Sequence, residues 1–160
     1  MPCQGEGGPV ASGACQPVER ITMAQQRIDV VQEFRQPVEE VFAYLADHNN
    51  LTKVFGIPVK RVRDGMGDVN GVGSVRSMGF APLAVEETVV GVVPNQSIDY
   101  EITRGGGPIT NHHGRLSFTK TASGSRVQWS ITFDSPLPLV GPVVRQVLKQ
   151  GLTMGLRKIA

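Results

Sequence analysis

The stretch that decides the fold is residues 138–160, which read PLVGPVVRQVLKQGLTMGLRKIA. Gly141-Pro142 predicts the start of a helix, because proline is well tolerated in the first helical turn, where its missing N–H would have no partner. After it, apolar or small residues recur at steps of three and four, which is the period of one helix face. These residues are Val144, Val147, Leu148, Gly151, Leu152, Gly155 and Ile159. The pattern predicts a long amphipathic helix that packs on a sheet, the only broad apolar partner that the rest of the chain offers.

Gly151 and Gly155 lie in the middle of the predicted apolar face. A glycine inside a helix costs about 0.5–1 kcal/mol relative to alanine, so both positions call for a physical reason. One interpretation is close packing between the helix and the sheet. The other is that the missing side chains leave empty volume for a ligand.

The composition is typical of one globular domain. The chain has 160 residues, of which 40% are hydrophobic and 19% charged, and a domain of this size buries roughly two thirds of its unfolded surface. The net charge of +2 is too small to indicate nucleic acid or an anionic membrane as a partner. No apolar run approaches the ~20 residues that span a bilayer. We therefore expect no nucleic-acid partner and no stable membrane insertion, whereas the oligomeric state stays open.

Residues 1–25 differ from the rest of the chain. They are rich in Gly, Pro, Gln and Ser without hydrophobic periodicity, which predicts a flexible tail ahead of a domain at 26–160. They lack the basic start and apolar centre of a secretory signal. Met23 is a hypothetical second translation start, and finding residues 1–22 on the native protein would reject that start. Both cysteines, Cys3 and Cys15, lie in this stretch, so the folded part needs no disulfide and we expect a cytoplasmic protein.

Between the tail and the helix, the sequence predicts one strand, two helices and six more strands. A glycine-rich loop, Gly65–Gly73, interrupts the strands, and the other connections are short enough for an antiparallel meander. The first strand is Arg27–Phe34, the helices are Pro37–His48 and Asn49–Phe55, and the later strands are Val59–Arg63, Val72–Phe80, Ala84–Val93, Ile98–Arg104, His112–Thr119 and Arg126–Phe133. The predicted fold class is α+β, with a sheet covered on one side.

Alternation along the strands assigns the covered side. In the last strand, Trp129 and Phe133 point the same way as Val127 and Ile131, while polar residues point the other way. Such alternation is typical of an antiparallel sheet with one buried face. Tyr100, Leu116 and Phe118 belong to the same inner face by the same alternation.

The order of elements resembles the helix-grip fold of the START-like superfamily, also called SRPBCC. That superfamily includes birch-pollen-allergen-like proteins, lipid-transfer domains and the polyketide cyclase/dehydrase family. The resemblance covers residues 26–160. The stretches that carry it are QPVEEVFAYLAD (36–47), GVGSVR (71–76), EETVVGVVPNQSIDYEI (86–102), SRVQWSITF (125–133) and GLTMGLRKIA (151–160).

The resemblance implies a bent seven-stranded antiparallel sheet that grips the C-terminal helix, with two short helices after the first strand and a hydrophobic cavity between sheet and helix. Members of the superfamily bind lipids, sterols, polyketides or plant hormones, and a minority cyclise or dehydrate aromatic polyketides. No catalytic motif is shared by all of them. We expect neither a metal nor another cofactor, since the chain has no nucleotide-binding glycine motif and its three histidines lack a metal-binding spacing.

Two opposite charges fall on the inner face. If Phe80–Leu83 is a four-residue turn, Arg76 lies opposite Glu87, and both point inward, where only a matched pair is tolerated. A similar register across Pro94–Ser97 would place Arg104 beside Glu87. The pair has two interpretations: an ion pair that sets the strand register, or a guanidinium that donates to a ligand carbonyl or carboxylate while Glu87 holds it in place.

Three residues are the candidates for catalysis, namely His112, Tyr100 and Glu87. His112 has an intrinsic pKa suited to acid–base chemistry near neutral pH, although an inward histidine also serves as a hydrogen-bonded wall. Its neighbour His113 is expected to face solvent. The predicted ligand-binding residues are Arg76, Glu87, Tyr100, His112, Leu116, Phe118, Trp129, Phe133, Leu148, Gly151 and Leu152.

Three function classes follow from these residues and the resemblance. The first is a carrier or sensor that binds a small to medium hydrophobic molecule, such as a lipid or an aromatic metabolite, between the sheet and the C-terminal helix. The second is a cyclase or dehydratase of the polyketide type that acts in the same cavity. The third is a partner-binding protein whose cavity is vestigial.

Overall fold

A computed structural model describes residues 24–160 of the chain. Residues 1–23 of the predicted tail, with its two cysteines and Met23, therefore lie outside the described residues. The last two residues of the predicted tail, Ala24 and Gln25, instead begin the first strand and pair with the last one. The strands are β1 Ala24–Phe34, β2 Val59–Arg63, β3 Val75–Met78, β4 Val85–Val93, β5 Ser97–Arg104, β6 Thr110–Thr121 and β7 Gly124–Ser135, and the α-helices are α1 Val38–Ala46, α2 Leu51–Phe55 and α3 Val140–Ile159. One turn of 3-10 helix, His48–Asn50, joins α1 to α2.

The seven strands form one antiparallel sheet in the order β1-β7-β6-β5-β4-β3-β2. With two short helices after β1 and a long one at the end, this is the α+β helix-grip fold that the sequence predicts. Strand β3 is much shorter than the predicted Val72–Phe80. The cause is local: Gly73 and Gly79 have φ angles of 86° and 89°, a left-handed conformation that cannot continue a strand.

The inner face of the sheet is the one that alternation predicts. Val127, Trp129, Ile131 and Phe133 of β7 are all buried. Leu116 and Phe118 of β6, together with Ile98 and Tyr100 of β5, complete that face and are buried as well.

Helix α3 lies along β1 and α2, and only its C-terminal half is tightly packed. Leu152 and Leu156 are buried, whereas Val144 and Leu148 in the N-terminal half are half-buried. Val147 was predicted for the inner face, which is wrong: it is 62% exposed. Its place in the core is taken by Leu156, because the buried face is rotated around the helix axis from the one that the spacing suggested.

Gly151 and Gly155 have different reasons to be glycine. A Cβ atom at Gly155 would lie far inside the van der Waals distance of the Val54 carbonyl oxygen, so this residue is required for the close approach of α3 to α2. A Cβ atom at Gly151 would meet no atom within 4 Å. The close-packing interpretation is therefore correct for Gly155, while Gly151 faces open space.

Within residues 24–160, no helix combines the length and the apolar character that crossing a lipid bilayer requires.

The two glycines give a matched prediction for stability. Gly151→Ala is expected to raise the free energy of unfolding by about 0.5–1 kcal/mol, because alanine favours the helix and its methyl group has room. Gly155→Ala is expected to lower the free energy of unfolding by about 1–3 kcal/mol, the usual cost of overpacking. Urea denaturation of the two variants measures both effects, and equal shifts would contradict the different packing of the two sites.

Candidate functional site

A buried ion pair lies on the inner face of the sheet, between β3 and β4. The Arg76 side chain of β3 is directly opposite Glu87 of β4 in the sheet register, as the sequence predicts. The Arg76 Nε–H group donates to Glu87 Oε2 at 2.7 Å, and both residues are buried. The second contact, from Arg76 Nη2 to the same oxygen, is also 2.7 Å long but lacks hydrogen-bond geometry. A donor of the buried guanidinium therefore has no hydrogen-bond acceptor among the described residues.

Aromatic side chains extend this pair toward the middle of the sheet. The Arg76 guanidinium carbon lies 4.4 Å from the centroid of the Tyr100 ring, a favourable cation–π distance. The Trp129 Nε1–H group donates to the Tyr100 hydroxyl oxygen at 2.7 Å. Burial, with a smaller contribution from the negative charge of Glu87, raises the pKa of Tyr100 well above its usual value. Tyr100 is therefore a neutral phenol at any physiological pH.

The position of Tyr100 depends on a glycine in the neighbouring strand. Tyr100 pairs with Gly114 across β5 and β6, and a Cβ atom at Gly114 would overlap the phenol ring. The Tyr100 ring thus occupies the space beside Gly114 that a side chain would otherwise fill. A single glycine thereby creates the space that the central aromatic residue occupies.

His112 lies next to Tyr100, with 5.6 Å between the two ring centroids. Its Nδ1 atom accepts a hydrogen bond from the Ile102 backbone N–H at 3.2 Å. Burial lowers the pKa of His112, so the neutral imidazole carries its proton on Nε2, an assignment that follows from the hydrogen bond. His112 can therefore donate to a ligand from Nε2, but its lone pair is already used.

A second histidine, which the sequence does not mark as a site residue, is more deeply buried. His48 is only 1% exposed. Its Nε2 atom lies 3.3 Å from the Ser74 hydroxyl, and its Nδ1 atom has no partner among the described residues. Burial and then the positive charges of Arg76 and Arg61 lower the pKa of His48 to about 4. The interior beside Arg76 therefore holds a neutral histidine at pH 7.

An open groove lies between α2 and α3, beside Gly151. Its volume is about 550 Å³. It is lined by Val54, Phe55, Gly56, Gly151, Met154, Gly155, Arg157 and Lys158. The lining is apolar, apart from the two cations at the end of α3.

Phe55 connects this groove to the inner face of the sheet. Its half-buried ring lines the groove and meets the edge of Trp129, with 5.6 Å between the ring centroids. Phe55 is therefore the side chain that separates the groove from the buried residues Trp129 and Tyr100.

The remaining predicted site residues belong to the hydrophobic core rather than to a pocket. Leu116, Phe118, Phe133 and Leu152 are buried in the hydrophobic core, and Leu148 packs against that core while half-buried. The structure brings Arg76, Glu87, Tyr100, His112 and Trp129 together, whereas Gly151 lies in the α2–α3 groove.

One prediction about charges on the strands needs correction. Arg104 does not lie beside Glu87: irregular pairing between β4 and β5 puts it opposite Glu86. There its Nη1 atom is 3.7 Å from a Glu86 carboxylate oxygen, and the Arg104 side chain is 79% exposed. His113 lies on the polar face of the sheet, as the sequence predicts, with its Nε2 atom 3.1 Å from an Asp99 carboxylate oxygen.

Sequence reasoning missed the residues that α2 contributes to the groove. Val54, Phe55 and Gly56 are about 100 residues away from Gly151 and Met154 along the chain, and no spacing within either helix indicates that they meet. The one available signal is Gly155, whose close contact with α2 requires the glycine.

Comparison with known proteins places this arrangement in a family. A family model described as polyketide cyclase/dehydrase and lipid transport matches residues 25–160. No curated protein matches the sequence.

Several solved structures are similar in fold. The protein Ara h 8.0201 is 19% identical with a TM-score of 0.65, over 85% of this chain and 95% of that chain. Truncated norcoclaurine synthase from Thalictrum flavum is 14% identical with a TM-score of 0.64, over 85% and 93%. Protein Ms6760 from Mycobacterium smegmatis is 19% identical with a TM-score of 0.61, over 83% and 87%. At these identities the likeness is one of fold alone.

Removing one partner of the buried pair is expected to destabilise the protein strongly. Arg76→Met leaves the Glu87 carboxylate buried without a countercharge, so we expect the free energy of unfolding to fall by about 3–5 kcal/mol. The double variant Arg76→Met, Glu87→Leu removes both charges and should be more stable than Arg76→Met alone. Chemical denaturation of the variants measures the coupling between the two charges. If the double variant lost as much free energy of unfolding as the two single variants together, the charges would not be coupled.

His48 predicts how stability depends on pH. The unfolded chain binds a proton near pH 6.5, whereas the folded protein does so only near pH 4. The stabilisation is therefore complete above pH 6.5 and is lost as the pH falls from 6.5 toward 4. Between pH 7 and pH 5 we expect this residue to account for a loss of about 2 kcal/mol. Urea denaturation at both pH values should show a smaller loss for His48→Gln, and an unchanged loss would rule out this role of His48.

Proposed function

This chain belongs to the polyketide cyclase/dehydrase and lipid-transport family, and on that premise we propose that it binds a small to medium hydrophobic ligand. The ligand lies between α3 and the sheet and enters through the groove between α2 and α3. The observation that carries the proposal is the open space at Gly151, where a Cβ atom would meet nothing within 4 Å. Gly151 is exposed, so this space opens to solvent along the groove.

The groove has the size and lining of a ligand site. Its volume of about 550 Å³ lies within the roughly 300–1,000 Å³ of typical small-molecule pockets. The walls from Val54, Phe55 and Met154 are apolar. A ligand that fills the groove removes apolar surface from water, and each Å² so removed contributes roughly 25 cal/mol.

Phe55 controls how far the ligand reaches. Its ring is half-buried and contacts Trp129 by an edge, so a change of its rotamer opens a path from the groove to the inner face. We propose that a longer ligand displaces the Phe55 ring and continues toward Tyr100 and Trp129.

Arg76 supplies the polar handle of the proposed site. Its Nη2 group lies 2.7 Å from Glu87 Oε2 without hydrogen-bond geometry, so its N–H groups have capacity for a further acceptor. A ligand carbonyl or carboxylate would accept from this donor, while Glu87 keeps the guanidinium in place through Nε. This favours a ligand with an apolar body and one oxygen-bearing end.

The chemistry of the three catalytic candidates supports binding rather than catalysis. His112 has its lone pair engaged with the Ile102 N–H, so it offers a donor and no base. Tyr100 stays protonated, and the Glu87 carboxylate is bound to Arg76. A cyclase or dehydratase needs a group that removes a proton from the substrate. A carrier or sensor therefore agrees better with this geometry.

Filling the open space tests the proposal directly. In Gly151→Phe, a large side chain occupies the groove, so we expect the affinity for the fluorescent probe 1-anilinonaphthalene-8-sulfonate to fall at least about tenfold, a loss of roughly 1.4 kcal/mol. The control is Gln146→Phe, which puts the same side chain on α3 outside the lining of this groove. Fluorescence titration gives both dissociation constants.

Two results of this titration would reject the proposed site. If Gly151→Phe folds with wild-type stability and still binds the probe as the wild type does, the proposed site is wrong. An equal loss of affinity in Gln146→Phe would also reject it, because the effect would then not depend on the groove.

A further inference from the structure

Helix α3 carries a second apolar stripe on the side that faces solvent. Val143, Val147 and Met154 are 61%, 62% and 70% exposed. At 100° per residue they fall within about 40° of one another around the helix, roughly opposite the buried leucines, and they extend over about 17 Å. Leu139, just before the helix, is 81% exposed. We call these four residues the outer stripe.

Two of the four cations of α3, Arg157 and Lys158, flank the outer stripe, while Arg145 and Lys149 lie on other sides of the helix at 100° per residue. Arg145, Lys149, Arg157 and Lys158 are all exposed on α3, and within residues 24–160 none of them forms a salt bridge with a side chain. Residues 135–160 hold none of the 14 Asp and Glu residues of the chain. The overall charge of +2 conceals this segregation, because the acidic residues all precede α3.

We propose that the outer stripe docks reversibly on the surface of an anionic lipid bilayer. The aliphatic side chains enter the boundary between headgroups and acyl chains, and the long cationic side chains reach the headgroup phosphates. Each Lys or Arg near such a surface adds a favourable electrostatic contribution. Docking of this kind places the helix in the plane of the surface, so it does not require a spanning segment.

Two other occupants of the stripe fit less well. A second copy of the chain would bring Arg157 and Lys158 of one α3 close to cations of the other, and like charges repel at close range. An acidic protein would supply the opposite charge. However, the outer stripe holds no Trp, Tyr or Phe, the residues that anchor most protein interfaces. An apolar stripe of Leu, Val and Met flanked by Arg157 and Lys158 is typical of a lipid-surface helix.

Co-sedimentation with lipid vesicles tests the proposal. We expect the protein to bind vesicles of phosphatidylcholine with roughly one third phosphatidylglycerol, to bind pure phosphatidylcholine much more weakly, and to be released by salt. Val147→Asp, Met154→Asp should lower the partition coefficient at least about tenfold, since two apolar contacts are lost. Arg157→Gln, Lys158→Gln should lower it by a similar factor.

The controls are matched substitutions elsewhere on the surface. Val31→Asp changes a 54% exposed valine on the solvent face of β1, and Lys120→Gln removes an exposed cation from β6; both should keep wild-type partitioning. Equal binding to neutral vesicles, no binding to anionic ones, or an equal loss in Val31→Asp would overturn the proposal. So would a dimer in sedimentation velocity that Val147→Asp, Met154→Asp dissolves. Probe binding in the groove is measured without lipid, so its failure and the failure of docking are distinguishable.

Discussion

The contact on which the rest of the architecture depends is the one between Gly155 and the carbonyl of Val54. It brings α3 against α2 at backbone distance, and Leu152 and Leu156 bury their side chains on either side of it. The C-terminal half of α3 is thus fixed. The N-terminal half packs only through half-buried residues, and Gly151 lies between the two halves. A groove forms there because one end of the helix is held tightly and the missing side chain of Gly151 leaves space.

The inner face of the sheet contains a buried ion pair, which is uncommon for a core. Burying Arg76 and Glu87 costs free energy that their mutual attraction and the Tyr100 ring offset. The arrangement is held by specific geometry: the register of β3 and β4 aligns the charges, and Gly114 makes room for the phenol ring. Such a network holds the Arg76 guanidinium in one position within the interior, and we propose that it donates to a ligand oxygen there.

Periodicity was sufficient to predict the order of elements, the inner face of the sheet and the register of β3 on β4, because each of these is a local property of alternating residues and a short turn. It was insufficient where long-range packing or backbone irregularity decides the outcome. Val147 is wrongly predicted for the inner face, and Leu156 is left out of it, because α3 has apolar residues on two sides and steps of three and four fit more than one phase. Arg104 was misplaced because the pairing of β4 with β5 is irregular, which alternation does not reveal. The groove was missed because it is formed by two helices that are distant in sequence.

The central claim is that an apolar ligand binds beside Gly151, against α2 and α3. The most direct measurement is intermolecular nuclear Overhauser contacts between 1-anilinonaphthalene-8-sulfonate and the methyl groups of the protein. We expect contacts from the probe to the methyl groups of Val54 and Met154. Contacts confined to Val31 or Val90, two exposed valines outside the groove, would contradict the claim.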